Sequence, residues 1–371
     1  MKPTSFPGKL ALQQRVLTAY RGPFFDALAQ ACARGLSVCA GLPRPEESIA
    51  VTDHLQIAEF APVQNMHLLH GRLYLCYQSG LTSWLEHCAP DALVVEANPR
   101  YLSTPAAIRW MKLRGKPVLG WGLGAPHSPS GPLSGLRQSL RSAFLRPFDA
   151  LITYSQRGAE EYARLGFPAD KIFVAPNAAA ARPSRPIPPR LAGFDGKPAV
   201  LFVGRLQVRK RLDLLLQACA ALPAALQPRL VIVGDGPERD TLEELAQRFY
   251  PAAEFPGAKH GAELAAYFST ADLFVLPGTG GLAVQEAMSY GLPVIMGQGD
   301  GTNDQLVRTE NGWQIRPDDL SALADTLHTA LLDVSRLRRM GAESYRIVSE
   351  EINLERMVGV FIEALQSVEA K

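Results

Sequence analysis

Apolar and polar positions along this 371-residue chain are grouped in blocks. Short, nearly unbroken apolar runs the length of one strand alternate with stretches whose apolar residues recur at helical spacing. In the first half, Leu10–Leu17 predicts a strand, about Phe24 to Arg34 a helix, and Leu36–Cys39 a second strand. Ala92–Val95 predicts another strand, Pro105 to Arg114 a helix and Pro117–Trp121 a strand. Ala150–Tyr154 leads into a helix over Ala159–Leu165, and Lys171–Val174 closes the series. Strands that read as unbroken apolar runs and alternate with helices indicate parallel βαβ units covered on both faces.

The pattern then breaks. Pro176 to Pro198 contains six prolines and a run of four alanines, a composition that resists regular structure. Beyond it the alternation restarts with strands at Ala199–Val203, Arg229–Val233, Leu273–Leu276 and Pro293–Met296. Helices are predicted over Arg211–Ala221, Glu238–Phe249 and Leu282–Tyr290, and the stretch from Leu320 to about Gln366 reads as largely helical. Two doubly wound domains follow, 1–190 and 191–345, with a helical tail over 346–371 expected to pack back on the first. Such sheets bind ligands outside the carboxyl ends of their strands, so a cleft between the two domains is the expected site.

Composition narrows the class. Hydrophobic residues make up 47% of the chain, ample for two cores, yet no run is long enough to span a membrane. The first residues, Met1-Lys2-Pro3-Thr4-Ser5-Phe6-Pro7, lack the apolar stretch of a secretory signal. Five scattered cysteines with no Cys-x-x-Cys spacing suit buried thiols in a reducing compartment and exclude a disulfide framework or zinc site. The expectation is a cytoplasmic protein. The net charge of +2 hides an asymmetry: residues 1–190 carry 21 basic against 12 acidic residues, and residues 191–371 carry 17 against 24. A basic first domain either faces an anionic partner or reflects ordinary surface variation.

The chemistry concentrates in the second half. In Phe202-Val203-Gly204-Arg205-Leu206-Gln207-Val208-Arg209-Lys210 a strand ends in glycine, then presents Arg205 and Lys210 where a helix begins. Two cations at a strand-to-helix turn can clamp a diphosphate, although a basic residue after a strand is often only solvated. Val233-Gly234-Asp235-Gly236-Pro237 is a glycine turn that either borders a ligand or is a plain βα connection. The densest segment runs from Ala271 to Ile295. There a strand enters the loop Gly278-Thr279-Gly280-Gly281, which opens a helix starting at Leu282 and carrying Glu286 among apolar neighbours. Backbone N–H groups of such a loop can hold an anion. A carboxylate at Glu286 needs a partner, either a ribose diol or an internal cation.

The order of these motifs, through Glu286-Ala287-Met288-Ser289-Tyr290-Gly291-Leu292-Pro293-Val294-Ile295 and Glu310-Asn311-Gly312-Trp313, resembles the family 4 glycosyltransferases. The resemblance is dense from about 199 to 317. It implies the GT-B fold, an α/β architecture of two Rossmann-like domains facing a central cleft. It also implies a nucleotide-sugar donor as co-substrate, with no other cofactor. By that match Arg205 and Lys210 neutralise the donor diphosphate, Glu286 holds the ribose, and the turn at Pro256-Gly257-Ala258-Lys259 meets the base. The family carries another glutamate eight positions before Glu286, where this chain has Gly278. That glutamate contacts the transferred sugar in relatives, so the sugar here must be held otherwise. The backbone amides of Gly280, Gly281 and Leu282 are candidates, with the Thr279 side chain.

In the first domain, Arg15, Tyr20 and Arg21 sit at the turn after the first strand, where relatives often have a glycine-rich loop. The turn Tyr20-Arg21-Gly22-Pro23 is similar to one in some bacterial members, and either reaches a phosphate or is purely structural. Asn98 and Arg100 follow another strand, as does Gly120-Trp121-Gly122-Leu123-Gly124-Ala125-Pro126-His127. His127 lies a few residues beyond the place where many relatives carry a histidine near the reacting carbon. It is a candidate catalytic residue, with a surface loop histidine as the alternative. Leu133, Leu136, Leu140 and Phe144 recur at helical spacing, interleaved with Arg137 and Arg141 and followed by Arg146; Arg109, Lys112 and Lys116 repeat the theme. These residues suit either a peripheral contact with an anionic inner membrane, where lipid-linked acceptors reside, or a solvated helix face whose leucines point inward. No nucleic-acid motif accompanies the charge.

The resemblance implies transfer with retention to a glycan, lipid-linked or small-molecule acceptor, the leaving phosphate assisting acceptor deprotonation. No Asp-x-Asp triplet occurs, so no metal ion is expected. Two other readings stay open. Pro43-Arg44-Pro45-Glu46 resembles an element of sugar-nucleotide epimerases, and Gly278 would suit a donor-binding subunit without catalysis.

Overall fold

The protein, seen in a computed structural model, is described for residues 5–47, 49–125, 134–280, 282–299 and 305–369. It divides into two compact units: Met1–Ala179 with Leu354–Lys371, and Ala180–Asn353.

The first unit begins with β1 (Leu10–Val16), α1 (Gly22–Gln30), β2 (Leu36–Gly41) and β3 (Glu59–Pro62). A two-stranded antiparallel ribbon follows, β4 (Gln64–Leu68) and β5 (Leu75–Ser79). Then come α2 (Leu81–Cys88), β6 (Ala92–Glu96), α3 (Thr104–Lys112) and β7 (Val118–Gly122). The unit's first stretch ends with α4 (Ser134–Leu145), β8 (Ala150–Thr153), α5 (Gln156–Arg164) and β9 (Ile172–Val174). Seven parallel strands form one sheet in the order β3-β2-β1-β6-β7-β8-β9. Its central strands are apolar because helices cover both faces. On one face Trp84 and Leu85 of α2, Ile108 and Met111 of α3 and Tyr162 of α5 join Leu93, Val95 and Leu151 of the sheet.

The second unit comprises β10 (Ala199–Val203), α6 (Leu212–Ala221), β11 (Arg229–Val233), α7 (Arg239–Phe249), β12 (Glu254–Gly257) and α8 (Gly261–Thr270). It continues through β13 (Leu273–Leu276), α9 (Leu282–Ser289), β14 (Val294–Gly297), β15 (Gly312–Ile315), α10 (Leu320–Leu332) and α11 (Val334–Glu350). Its six-stranded sheet is ordered β12-β11-β10-β13-β14-β15. The start of α10 is fixed by Asp319 and that of α11 by Asp333, whose carboxylates accept the N–H of Ala322 and Arg336.

The units divide at 179/180 rather than near 190. The proline-rich segment is held by the second unit through side chains. Arg190 donates to the carbonyls of Phe268, Ala271 and Tyr290, and Arg338 of α11 donates to those of Leu191 and Gly193. Burial, with Arg338 nearby, lowers the Arg190 guanidinium to about 10. The tail also divides later than 346. Helix α11 stays with the second unit, and only α12 (Leu354–Glu369) belongs to the first. There the Phe361 ring meets Phe24 and Trp121 edge-on, each with centroids 5.0 Å apart.

Phe361 is fully buried, so truncating it opens a cavity among aromatic neighbours. Phe361→Ala is expected to lower stability by about 3–5 kcal/mol, read as a shifted urea midpoint; an unchanged midpoint refutes the packing role.

Candidate functional site

In the second sheet β10 and β13 are neighbours from which the chain winds in opposite directions, so the crevice at their carboxyl ends is the topological switch point. The loop after β10 and the loop after β13 meet there at backbone distance. Thr279 donates its N–H to the Arg209 carbonyl at 3.0 Å, and the Lys210 ammonium donates to the Thr279 carbonyl at 2.7 Å. Gly278 is buried against the same loop: a Cβ on it would overlap the Arg209 carbonyl oxygen and lie 2.7 Å from Lys210 Cα. This explains the departure from the family pattern. A glutamate at 278 has no room unless the Arg209–Lys210 turn moves.

The same device continues along the rim. Gly234 adopts φ +142°, donates its N–H to the Gly257 carbonyl at 3.0 Å, and leaves no space for a Cβ beside the Gly204 carbonyl. Gly204 in turn donates to the Val233 carbonyl at 3.0 Å. The Gly-Asp-Gly-Pro turn is therefore glycine-rich because it packs against the Gly204–Leu206 loop, a use the sequence could not separate from ligand contact.

The candidate side chains near this shelf differ in how far they are engaged. Arg205 is exposed, with no hydrogen-bond partner among the described residues. Burial, aided by the neighbouring Arg209 charge, lowers the Lys210 ammonium to about 8. Glu286, in the second turn of α9, is half-buried, and burial raises its carboxyl above the ordinary range. No internal cation meets it among the described residues, which answers against an internal ion pair. Leu282 is exposed at the start of α9. Gly280 takes φ +138°, and a Cβ on it would overlap the Lys210 ammonium. Gly257 ends β12 at φ +82°, while Lys259 lies 3.7 Å from Glu263 of α8. Gly281 and His127 lie outside the described residues. Among the described residues no group of three or more His, Cys, Asp or Glu side chains could hold a metal ion.

In the first unit the candidates are more engaged than their sequence suggests. The Arg15 guanidinium pairs with Glu47 at 2.8 Å. Burial pushes the Glu47 carboxyl up, but hydrogen bonds from Arg15 and Arg44 outweigh it and hold it below its ordinary range. Arg44 pairs with Glu46 as well, so the Arg-Pro-Glu element is tied into this ion cluster. Arg21 is buried, with its guanidinium over the rings of Tyr20, Trp121 and Tyr154 at 5.1, 5.2 and 5.4 Å. Its turn is thus aromatic-packed, and among the described residues its guanidinium has the Tyr154 hydroxyl at 3.3 Å and the Met357 sulfur at 3.7 Å as polar partners. Tyr20 remains partly exposed. The Asn98 side chain accepts the Arg100 N–H at 3.1 Å, forming its own turn, and the Arg100 side chain is exposed. Sequence reasoning missed Glu47 and Glu96; the signal for the latter was an acidic residue ending the apolar run Ala92–Val95.

Two parallel α/β sheets, one ending in a cation-bearing glycine shelf at its switch point, define a two-domain GT-B protein. Residues 185–347 match the family described as Glycosyl transferases group 1, and residues 22–178 match the Glycosyl transferase 4-like domain. The chain belongs to the family 4, group 1 glycosyltransferases. It is 37% identical over 147 residues to the sulfoquinovosyl transferase of Arabidopsis thaliana, covering 38% of this chain and 28% of that protein. It is 38% identical over 157 residues to a GDP-mannose-dependent alpha-mannosyltransferase of Mycolicibacterium smegmatis, covering 42% of this chain and 39% of that one. The chain thus spans well under half of either relative. Among solved structures, sucrose-phosphate synthase of Thermosynechococcus elongatus aligns over 98% of this chain and 99% of that chain, at TM-score 0.63 and 20% identity. HepE of Anabaena, in complex with UDP, aligns over 97% of this chain and 100% of that one, at TM-score 0.66 and 16% identity.

The shelf predicts a stability effect. Gly278→Ala must displace backbone and is expected to cost about 1–3 kcal/mol in chemical denaturation. An alanine variant as stable as the parent would remove this account of the glycine.

Proposed function

We propose that this chain is a retaining, metal-independent glycosyltransferase. It moves a sugar from a UDP- or GDP-sugar to a glycan, lipid-linked or small-molecule acceptor. The observation that carries the reading is the switch point of the second sheet, where Lys210 meets the Gly278–Gly280 loop and the helix that follows carries Glu286, which has no ion-pair partner among the described residues. The donor diphosphate is neutralised by Arg205 and Lys210, and the ribose diol donates to Glu286. The relatives' use of GDP-mannose and the UDP bound in a fold neighbour support a nucleoside diphosphate donor. With no side chain at Gly278, the sugar is held by loop amides and Thr279.

A desolvated lysine binds a diphosphate best while it is charged. Lys210 sits at about 8 in the free protein, and a bound diphosphate raises it. UDP or GDP affinity is therefore full below that value and falls as pH rises through it, by about tenfold at one pH unit above. Calorimetric titrations across this range should show that loss, and Lys210→Arg should flatten it. Lys210→Ala and Glu286→Ala should abolish transfer while leaving the thermal melting curve in place; full activity in both would falsify the site. A chain that binds nucleotide sugars yet turns over no acceptor in a broad panel would instead be the catalytically silent donor-binding subunit that Gly278 also suits.

A peripheral membrane contact completes the proposal. Leu136 and Leu140 of α4 are exposed rather than packed inward, beside Arg137 and Arg141, and Leu113 is exposed beyond α3. Leu133 lies outside the described residues. No helix among the described residues is long and apolar enough to cross a membrane. An amphipathic basic surface of this kind binds anionic lipid in a salt-sensitive way. Co-flotation with phosphatidylglycerol vesicles, lost with phosphatidylcholine alone and in the Leu136→Glu/Leu140→Glu variant, is the expected result. Equal flotation of parent and variant would remove the contact from α4.

A further inference from the structure

The first unit holds a carboxyl that none of the roles above uses. Glu96 ends β6 next to β1, and these are the two neighbouring strands from which the first sheet winds in opposite directions. It therefore occupies that sheet's own switch point. One carboxylate oxygen, Oε2, accepts the Arg15 backbone N–H at 2.7 Å. The Glu96 N–H goes to Gln13 Oε1 at 3.1 Å, and its carbonyl accepts the Asn98 N–H at 2.7 Å. The second carboxylate oxygen has no protein donor among the described residues.

The surroundings hold this group firmly without neutralising it. Gln13 donates to Gln78, and Gln78 donates to the Gln14 carbonyl at 3.0 Å and to Asn65 at 2.9 Å. Asn65 donates in turn to the Arg15 carbonyl at 2.7 Å, so the end of β1 is fixed from two sides. The charged and titratable groups that face Glu96 are Arg15 of β1, Arg21 of the following turn, Cys76 of β5, Tyr101 and Tyr154. Glu47 and Tyr74 stand beyond Arg15. Neither arginine ion-pairs with Glu96: Arg15 turns to Glu47, and Arg21 lies in its aromatic cage. Burial raises the Glu96 carboxyl to about 7, with the Arg15 amide and the Arg15 and Arg21 charges opposing.

Charge selects what can fill the unused oxygen. An anionic group is repelled by the carboxylate, and a second cation is repelled by Arg15 and Arg21. A neutral hydroxyl donates a hydrogen bond without either penalty. Nor does the fold itself require the charge, because an amide oxygen would accept the Arg15 N–H equally well. We propose that Glu96 is a sugar-hydroxyl-binding residue of the first unit, holding a neutral polyhydroxylated acceptor through the carboxylate oxygen that the Arg15 amide leaves unused. The term acceptor rests on the glycosyl-transfer reading; the sugar site itself does not.

Saturation-transfer NMR on the full chain tests this with glucose, mannose and octyl β-D-glucopyranoside as probes. Sugar-ring protons should gain signal near pH 8. In Glu96→Gln, which keeps the Arg15 acceptor and the shape, the signal should fall about tenfold with thermal unfolding unchanged. In the parent the signal should also decline from about pH 8 to about pH 6 as the carboxylate protonates, and it should be flat in the variant. No ring-proton signal in the parent, a signal confined to the octyl chain, or equal signals in parent and variant would each overturn the assignment. UDP and GDP titrations run alongside separate the two readings. Sugar binding that depends on Glu96 without nucleotide binding retires the transferase alone, and nucleotide binding without sugar binding retires Glu96 alone.

Discussion

The contact between Gly278 and the Arg209 carbonyl sets the design of the second unit. Two loops leaving adjacent strands approach until backbone touches backbone, and only a residue without a Cβ permits it. The approach brings Lys210 onto the Thr279 carbonyl and partly shields its ammonium from water, which with the Arg209 charge is why its proton is held more weakly. The same approach excludes the sugar-reading glutamate of the family. The absence of a side chain at 278 and the lowered proton affinity of the lysine thus share one packing arrangement.

The two units build their rims by opposite means. The second uses backbone, with glycines at 234, 236 and 278 letting neighbouring loops merge into a shelf. The first uses side chains: the buried amides of Gln13 and Gln78, Asn65, and the Arg15–Glu47 pair. A backbone shelf presents N–H groups in fixed positions and suits a phosphate common to many donors. A side-chain rim changes with each substitution and suits a partner that differs from one family member to the next.

Much of this was legible from the chain alone. The apolar runs located β1, β2, β6 to β11, β13 and β14, because strands covered on both faces carry no alternation to misread. The ribbon β4–β5 escaped, since its outward face carries Met66, Leu68 and Tyr77 while its inward face carries Asn65 and Gln78, an inversion of the usual pattern. The edge strands β3, β12 and β15 are short and half-buried, and they follow turn-forming sequence. For the candidate site, motif order singled out Lys210 and Glu286, and the structure shows only their surroundings: the Lys210 ammonium on the Thr279 carbonyl and a half-buried Glu286. The reason for Gly278 was not legible, because a missing side chain reports nothing about which neighbour requires its absence. Arg21 misled in the other direction: a cation at a turn looks solvent-facing until three aromatic rings from distant segments enclose it.

The last helix has a consequence for the order in which the protein comes into being. Because α12 supplies Phe361 to the aromatic cluster of the first unit, that unit's hydrophobic core lacks a wall until the whole of the second has been synthesised. The second unit, contiguous from Ala180 to Asn353, can close as soon as it leaves the ribosome. During translation the unit begun first is finished last. Its incomplete core, with Phe24 and Trp121 uncovered, is the species that cellular chaperones would meet.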